Sequence, residues 1–150
     1  VIQGKGQGLA DSSPLCCIVG DRSYEITVDL EIRGEGHGGL ALFYDERGHV
    51  GLGFSRRELR TYGYGQEQTW MCEPMEVSRV RIQLRNHENV LRWRYSLDGG
   101  ANWREHPWQM EVSGFHHNVF GGFLSLRPAL FSAGPGEVVA RNFSYHGETR

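Results

Sequence analysis

Apolar and polar side chains alternate with a period of two along most of this chain. Tyr24, Ile26, Val28, Leu30 and Ile32 fall on one side of an extended segment, and Glu25, Thr27, Asp29, Glu31 and Arg33 fall on the other. Val80, Ile82 and Leu84 alternate with Arg79, Arg81, Gln83 and Arg85, and Leu91, Trp93, Tyr95 and Leu97 alternate with Arg92, Arg94 and Ser96. Successive strand residues point to opposite faces, so the pattern predicts antiparallel strands with one face in a core and one in water. Val50, Leu52 and Phe54 also share a face, while Gly51 and Gly53 leave the other face bare, open to a ligand or to another packed layer.

Turn residues punctuate these runs. Gly34–Gly39 reads as a loop, Asp45–Gly48 and Asn86–Asn89 as hairpin links, and Pro135 between two glycines as a further loop. Glu137–Tyr145 reads as a final strand with an irregular step at Arg141–Asn142. No long segment carries a helical period. Many short strands at even spacing predict an all-β chain folded as a two-sheet antiparallel sandwich. A jelly roll suits the chain better than an immunoglobulin fold, because the Cys…Trp…Cys spacing is missing.

Composition narrows the function classes. The chain has 150 residues, the size of one domain, and its 21 glycines and 11% aromatic residues suit strands and tight turns. A net charge of -2 argues against a nucleic-acid surface. No apolar run approaches the roughly 20 residues of a membrane-spanning helix. Cys16, Cys17 and Cys72 are odd in number and lack a Cys-x-x-Cys spacing, so neither a disulfide framework nor a structural zinc site is expected; one of Cys16 and Cys17 should face the core. The chain starts at Val1 in what reads as strand sequence, which suggests a piece of a longer protein.

Two segments carry candidate chemistry. Ser96-Leu97-Asp98-Gly99-Gly100-Ala101-Asn102-Trp103 fits the Asp-box pattern, in which Ser96, Asp98, Gly100 and Trp103 would build a hairpin turn. Glu111–Pro128 holds Phe115, His116, His117 and Asn118 ahead of a Gly-Gly pair, polar groups that a core strand does not need. Catalysis finds little support. No two carboxylates are paired as a glycosidase requires. A Ser113–His116–Asp98 triad has no nucleophile elbow. His116 and His117, as neighbours, diverge on a strand and have no third metal ligand at a telling spacing. Sugar binding is better supplied, since it uses aromatic platforms with planar polar groups beside them. Tyr44, Tyr62, Tyr64, Trp70, Trp93, Tyr95, Trp103, Trp108, Phe115 and Phe120 are candidate platforms, with Arg56, Arg57, Arg60, His116, His117 and Asn118 as polar partners.

The chain resembles a known domain along nearly its whole length. Matching stretches include Asp11-Ser12-Ser13-Pro14-Leu15, Gly39-Leu40-Ala41-Leu42-Phe43-Tyr44, Gly51-Leu52-Gly53-Phe54, the Asp box, Glu111–Pro128 and Arg141-Asn142-Phe143-Ser144-Tyr145. They are similar to the C-terminal, concanavalin A-like β-sandwich of glycoside hydrolase family 43 β-xylosidases and α-L-arabinofuranosidases. The resemblance implies a non-catalytic accessory domain, with the catalytic carboxylates on a five-bladed propeller that precedes Val1. It implies partners of two kinds, xylan-type hemicellulose and that propeller. The sandwich would bind sugar itself or, alternatively, pack on the propeller and lend a loop at His116–Asn118 to its active-site rim. An independent hydrolase is the remaining alternative. Related sandwiches also imply a structural calcium held by a carboxylate and backbone carbonyls, with ligands unassigned here.

Overall fold

The computed structural model describes residues 1–6, 8–12, 14–16, 23–43, 49–63, 66–67, 73–88, 90–107, 110–111 and 127–147. These residues form two antiparallel sheets of seven strands each. The first sheet runs in the order β1 (Ile2–Gln3), β14 (Gly136–Gly147), β3 (Tyr24–Gly34), β9 (Arg79–His87), β10 (Val90–Ser96) and β11 (Arg104–Glu105), with β12 (Met110–Glu111) also paired to β10. The second runs β2 (Leu15–Cys16), β13 (Arg127–Ala133), β4 (His37–Phe43), β5 (His49–Ser55), β6 (Glu58–Gly63) and β7 (Gln66–Glu67), with β8 (Glu73–Pro74) also paired to β6. The architecture is the expected all-β two-sheet sandwich.

The core lies between the sheets and is assembled by the alternation. Ile26, Val28, Ile82, Leu84, Leu91 and Trp93 of the first sheet meet Leu40, Leu42, Val50, Leu52, Phe54 and Leu59 of the second, all at most 2% exposed. Phe54 and Tyr95 touch edge to face across the gap, with ring centroids 5.3 Å apart. Removing this apolar surface from water is the main force holding the layers together.

Three sequence expectations are adjusted. The Gly34–Gly39 loop shrinks to Glu35 and Gly36, because β4 already begins at His37. Gly38 and Gly39 are strand residues rather than turn residues; a Cβ at Gly39 would lie 1.8 Å from the Leu52 carbonyl oxygen, and one at Gly38 would lie 2.3 Å from a Val138 methyl. Close packing, not turning, is what demands glycine there. Leu97 does not continue the core face of β10; the strand ends at Ser96 and Leu97 is 38% exposed in the following turn. The Asn86–Asn89 link is tighter than expected, with His87 paired to Val90 and Glu88 in the left-handed region at φ 48°. The irregular step in the last strand is a register shift between Arg141 and Ser144, with Asn142 at φ 56°. The one described helix is a three-residue 3-10 turn at Leu9–Asp11.

Candidate functional site

The outer face of the second sheet differs from the wet face expected of a half-buried strand. Ladder partners share a face, so the pairings His37↔Ser55, Gly39↔Gly53, Ala41↔Gly51, Phe43↔His49 and Gly51↔Tyr62 set these residues side by side on the face turned away from the core. Phe131 and Ala133 of β13 join them opposite Gly39 and His37. Leu9, Ala41, Tyr62, Phe131 and Ala133 form a second apolar cluster, and Leu9, brought over the sheet by the 3-10 turn, is fully buried. The central strands β4 and β5 are therefore buried on both faces.

His37 is the centre of the polar part of this cluster. Its ring stacks on Tyr62 at 6.1 Å with planes 10° apart and meets the edge of Phe131 at 5.9 Å. Its Nε2 lies 2.6 Å from the Tyr62 hydroxyl, and its Nδ1 lies 3.4 Å from a guanidinium nitrogen of Arg60. A guanidinium can only donate, so Nδ1 accepts and the proton of the neutral ring sits on Nε2, from which it is donated to Tyr62. Burial and the nearby positive charge of Arg60 both disfavour the imidazolium, lowering the His37 pKa from 6.5 to about 4. Glu58 holds Arg60 in place at 2.7 Å. At the other end of the face, Phe43 and His49 stack with centroids 5.7 Å apart.

Gly53 makes this ring layer fit. A Cβ there would lie 3.0 Å from the His37 ring and 3.1 Å from that of Phe131, with Tyr62 at 3.5 Å. The bare floor expected from the sequence exists, and the chain's own rings lie on it. Two features remain unsatisfied or open. Arg127, placed beside Phe43 by the ladder, keeps its Nε buried with no hydrogen-bond partner. Beside His37, a cavity of about 570 Å³ is lined by Glu35, His37, Arg56, Arg57, Glu58 and Arg60.

The Asp box stands on the other sheet. Asp98 accepts hydrogen bonds from the Ser96 hydroxyl at 2.7 Å, from the Asn102 amide at 2.8 Å and from the Asn102 side chain at 2.7 Å. These donors, with the Asn102 side chain the strongest, lower its pKa to about 2. The Gly100 amide donates to Ser96 Oγ at 2.8 Å, with Gly100 at φ 101°. The Arg94 guanidinium lies 4.3 Å from the centre of the Trp103 ring. Every hydrogen bond recorded for the Asp98 carboxylate stays inside the turn, so the box acts chemically as a brace.

Of the aromatic and polar residues singled out from the sequence, Tyr62, Trp93, Tyr95, Trp103, Arg56, Arg57 and Arg60 are described and Phe120 is not; Trp93 and Tyr95 lie in the core, and at 4% exposure the Tyr62 ring is enclosed by His37, His49 and Phe131. Tyr44, Tyr64, Trp70, Trp108, Phe115, His116, His117 and Asn118 lie outside the described residues. Cys16 is half-buried on the same outer face, aligned with Ala129. His37 and His49 were not among the candidates. Their signal was present, since each opens a strand whose alternate residues, His37-Gly39-Ala41-Phe43 and His49-Gly51-Gly53-Ser55, are small or aromatic rather than charged. For the calcium expectation, no group of three or more His, Cys, Asp or Glu side chains among the described residues is arranged to hold an ion.

Solved structures share this architecture. The chain superposes on a xylan beta-1,4-xylosidase from Bacillus halodurans C-125 with a TM-score of 0.74 and 16% identity. It superposes on a GH43 protein from Bacillus licheniformis with a TM-score of 0.76 and 13% identity. These matches cover 94% and 96% of this chain but only 31% and 32% of those enzymes. Its fold is that of one part of each of these two proteins. A functionally unknown protein from Saccharomyces cerevisiae shares the fold at a TM-score of 0.62 and 11% identity, with 98% of this chain covering 83% of that one. No protein-family model and no curated protein matches the sequence.

Proposed function

We propose that this chain is a non-catalytic accessory sandwich of a family 43 glycoside hydrolase acting on xylan or arabinoxylan, and that it packs on the catalytic propeller. The observation that carries this is the coverage: nearly all of this chain matches about a third of a xylan beta-1,4-xylosidase and of a GH43 protein. The sequence offers no two carboxylates paired as a glycosidase requires, which supports a non-catalytic role. Two features favour docking over a free-standing sugar platform. The candidate rings of Tyr62, Trp93 and Tyr95 are buried and have no open face to offer. Arg127 carries a buried nitrogen without a partner, a costly arrangement that an acceptor from a packed neighbour would relieve. The loop at His116–Asn118 would then reach the active-site rim.

The test compares the full-length polypeptide with a version lacking residues 1–150. Loss of most activity toward xylo-oligosaccharides, together with no turnover of nitrophenyl xyloside by residues 1–150 alone, is the expected result. A truncated enzyme of undiminished activity and stability overturns the packing role, and turnover by the isolated chain overturns the non-catalytic one. Direct hemicellulose binding is the second reading, supported by the supply of aromatics along the chain; affinity gels containing xylan or arabinoxylan measure it with the isolated chain.

A further inference from the structure

The cavity beside His37 has a chemistry of its own. β5 ends at Ser55 and β6 begins at Glu58, so Arg56 and Arg57 form a two-residue hairpin loop. Ser55 Oγ fixes that loop, accepting from the amides of Arg57 at 3.1 Å and Glu58 at 3.0 Å. Two adjacent arginines are thus held at the mouth of a cavity of about 570 Å³ that Arg60 also lines. The acids there do not cancel them. Glu58 is committed to Arg60 at 2.7 Å, and Glu35 approaches Arg57 no closer than 3.9 Å, with side chains 66% and 86% exposed. Such a loose, exposed pair is worth little. Arg56 makes no ion pair with any described residue. His37 at the base has its Nδ1 and Nε2 turned to Arg60 and Tyr62, so it adds no acceptor to the cavity. The lining therefore carries three guanidinium groups against two carboxylates.

We infer that this cavity binds the carboxylate of an acidic sugar, a uronic acid carried as a side group on a xylan-type chain. Guanidinium forks match a carboxylate with paired hydrogen bonds, which a neutral pentose cannot exploit. The volume is that of a small-molecule site, roughly 300–1,000 Å³, far more than a bare anion fills. The anionic handle follows from the arginines; the choice of a sugar to carry it rests on the accessory role proposed above.

Calorimetry of the 150-residue chain with three probes tests this: xylotriose bearing a glucuronic acid branch, unsubstituted xylotriose, and acetate. The acidic tetrasaccharide is expected to bind at least about tenfold more tightly than neutral xylotriose, since only it can form a charge-assisted pair with the arginines. The gap should close in an Arg56→Ala/Arg57→Ala variant and narrow at about 0.5 M salt. Both residues are exposed, so that variant should keep its thermal midpoint. Equal affinity for the acidic and the neutral oligosaccharide, or a gap that survives in the variant, overturns the site while leaving the accessory role intact. Acetate binding as tight as the acidic oligosaccharide reduces the site to an adventitious ion only and overturns the sugar assignment. No binding of any probe also overturns the site, and the truncation experiment then judges the accessory role separately.

Discussion

The two outer faces of this sandwich solve the same problem in opposite ways. On the first sheet, charge covers the strands. Arg81 grips Asp29 through two bonds at 2.6 and 3.1 Å, Arg85 meets Glu25 at 2.8 Å, and Glu31 is shared by Arg33 and Arg141 at 3.2 and 3.3 Å. Gln83 links to Glu25, Thr27 and Arg94 within the same lattice. On the second sheet, the chain covers its own strands with Leu9 and a layer of rings lying on glycines. The first face is hydrated and tolerant, because each pair is exposed and individually weak. The second is close-packed and intolerant, because a methyl group has nowhere to go. The second face carries the partnerless Arg127 Nε at one end and arginines at the other, which supports the docking role proposed above.

The sharpest way to break this contrast is to add volume. Gly39→Val, whose Cβ would fall 1.8 Å from the Leu52 carbonyl, should cost about 3 kcal/mol or more in urea denaturation. Thr27→Val on the charged face should stay within about 0.5 kcal/mol. Similar midpoints for the two variants would mean that the ring layer is loosely packed.

Acid should discriminate almost as strongly. The native His37 pKa is near 4 against 6.5 when free, so below 6.5 the unfolded chain takes up a proton that the folded chain refuses. Stability therefore rises with pH across this window and is fully present only above about 6.5. The groups facing His37 are Arg60, Glu58, Asp11 and Tyr62, of which Arg60 opposes the imidazolium and the two acids favour it. The native-to-free gap corresponds to about 3 kcal/mol between pH 7 and pH 4. The pH dependence of wild type minus that of His37→Gln isolates it, and a difference independent of pH would remove the neutral, buried histidine.

Most of the first sheet was legible in the sequence, and much of the second was not. Tyr24–Ile32, Val80–Leu84 and Leu91–Tyr95 alternate cleanly because one face of each is charged. Their core residues are buried as expected, and the Arg141–Asn142 irregularity falls where it was read. β4 and β5 lack that polar face. Their outward positions are histidine, glycine, alanine and phenylalanine, so the period-two signal fades and Gly38-Gly39 imitates a turn. The ring layer also depends on Leu9 and Phe131, which are distant in sequence from His37 and meet it only in the fold. Arginines at 56, 57 and 60 were readable as polar partners, but the cavity they line needs the hairpin that joins β5 to β6.

A smaller effect probes the polar heart of the ring layer. Tyr62→Phe keeps the ring and its stacking but takes away the acceptor of the His37 Nε2 proton. A buried donor left without a partner costs about 1–3 kcal/mol, so the variant should lose that much while keeping its sheet content by circular dichroism. An unchanged midpoint would place a substitute acceptor within reach of His37.

The smallest effect belongs to the charged face, and its salt dependence is the informative part. Asp29 is held below the usual carboxylate range chiefly by its bonds from Arg81 and further by Asn142. Both partners of the pair remain substantially exposed, with side chains 26% and 33% accessible, so solvent screens most of what the geometry suggests. Asp29→Asn should therefore cost only about 0.5 kcal/mol at low salt. It should cost less still at about 1 M salt, where the screening length falls to roughly 3 Å. Because the native carboxyl has the lowered pKa, the pair's contribution is present above the free value of 3.8 and fades as the pH falls below it. The charged face thus loses its stabilisation only in strong acid, after His37 has already charged in the unfolded chain. If Asp29→Asn cost several kcal/mol and ignored salt, the lattice would be a structural network like the ring layer, and the division between a wet face and a packed one would fail.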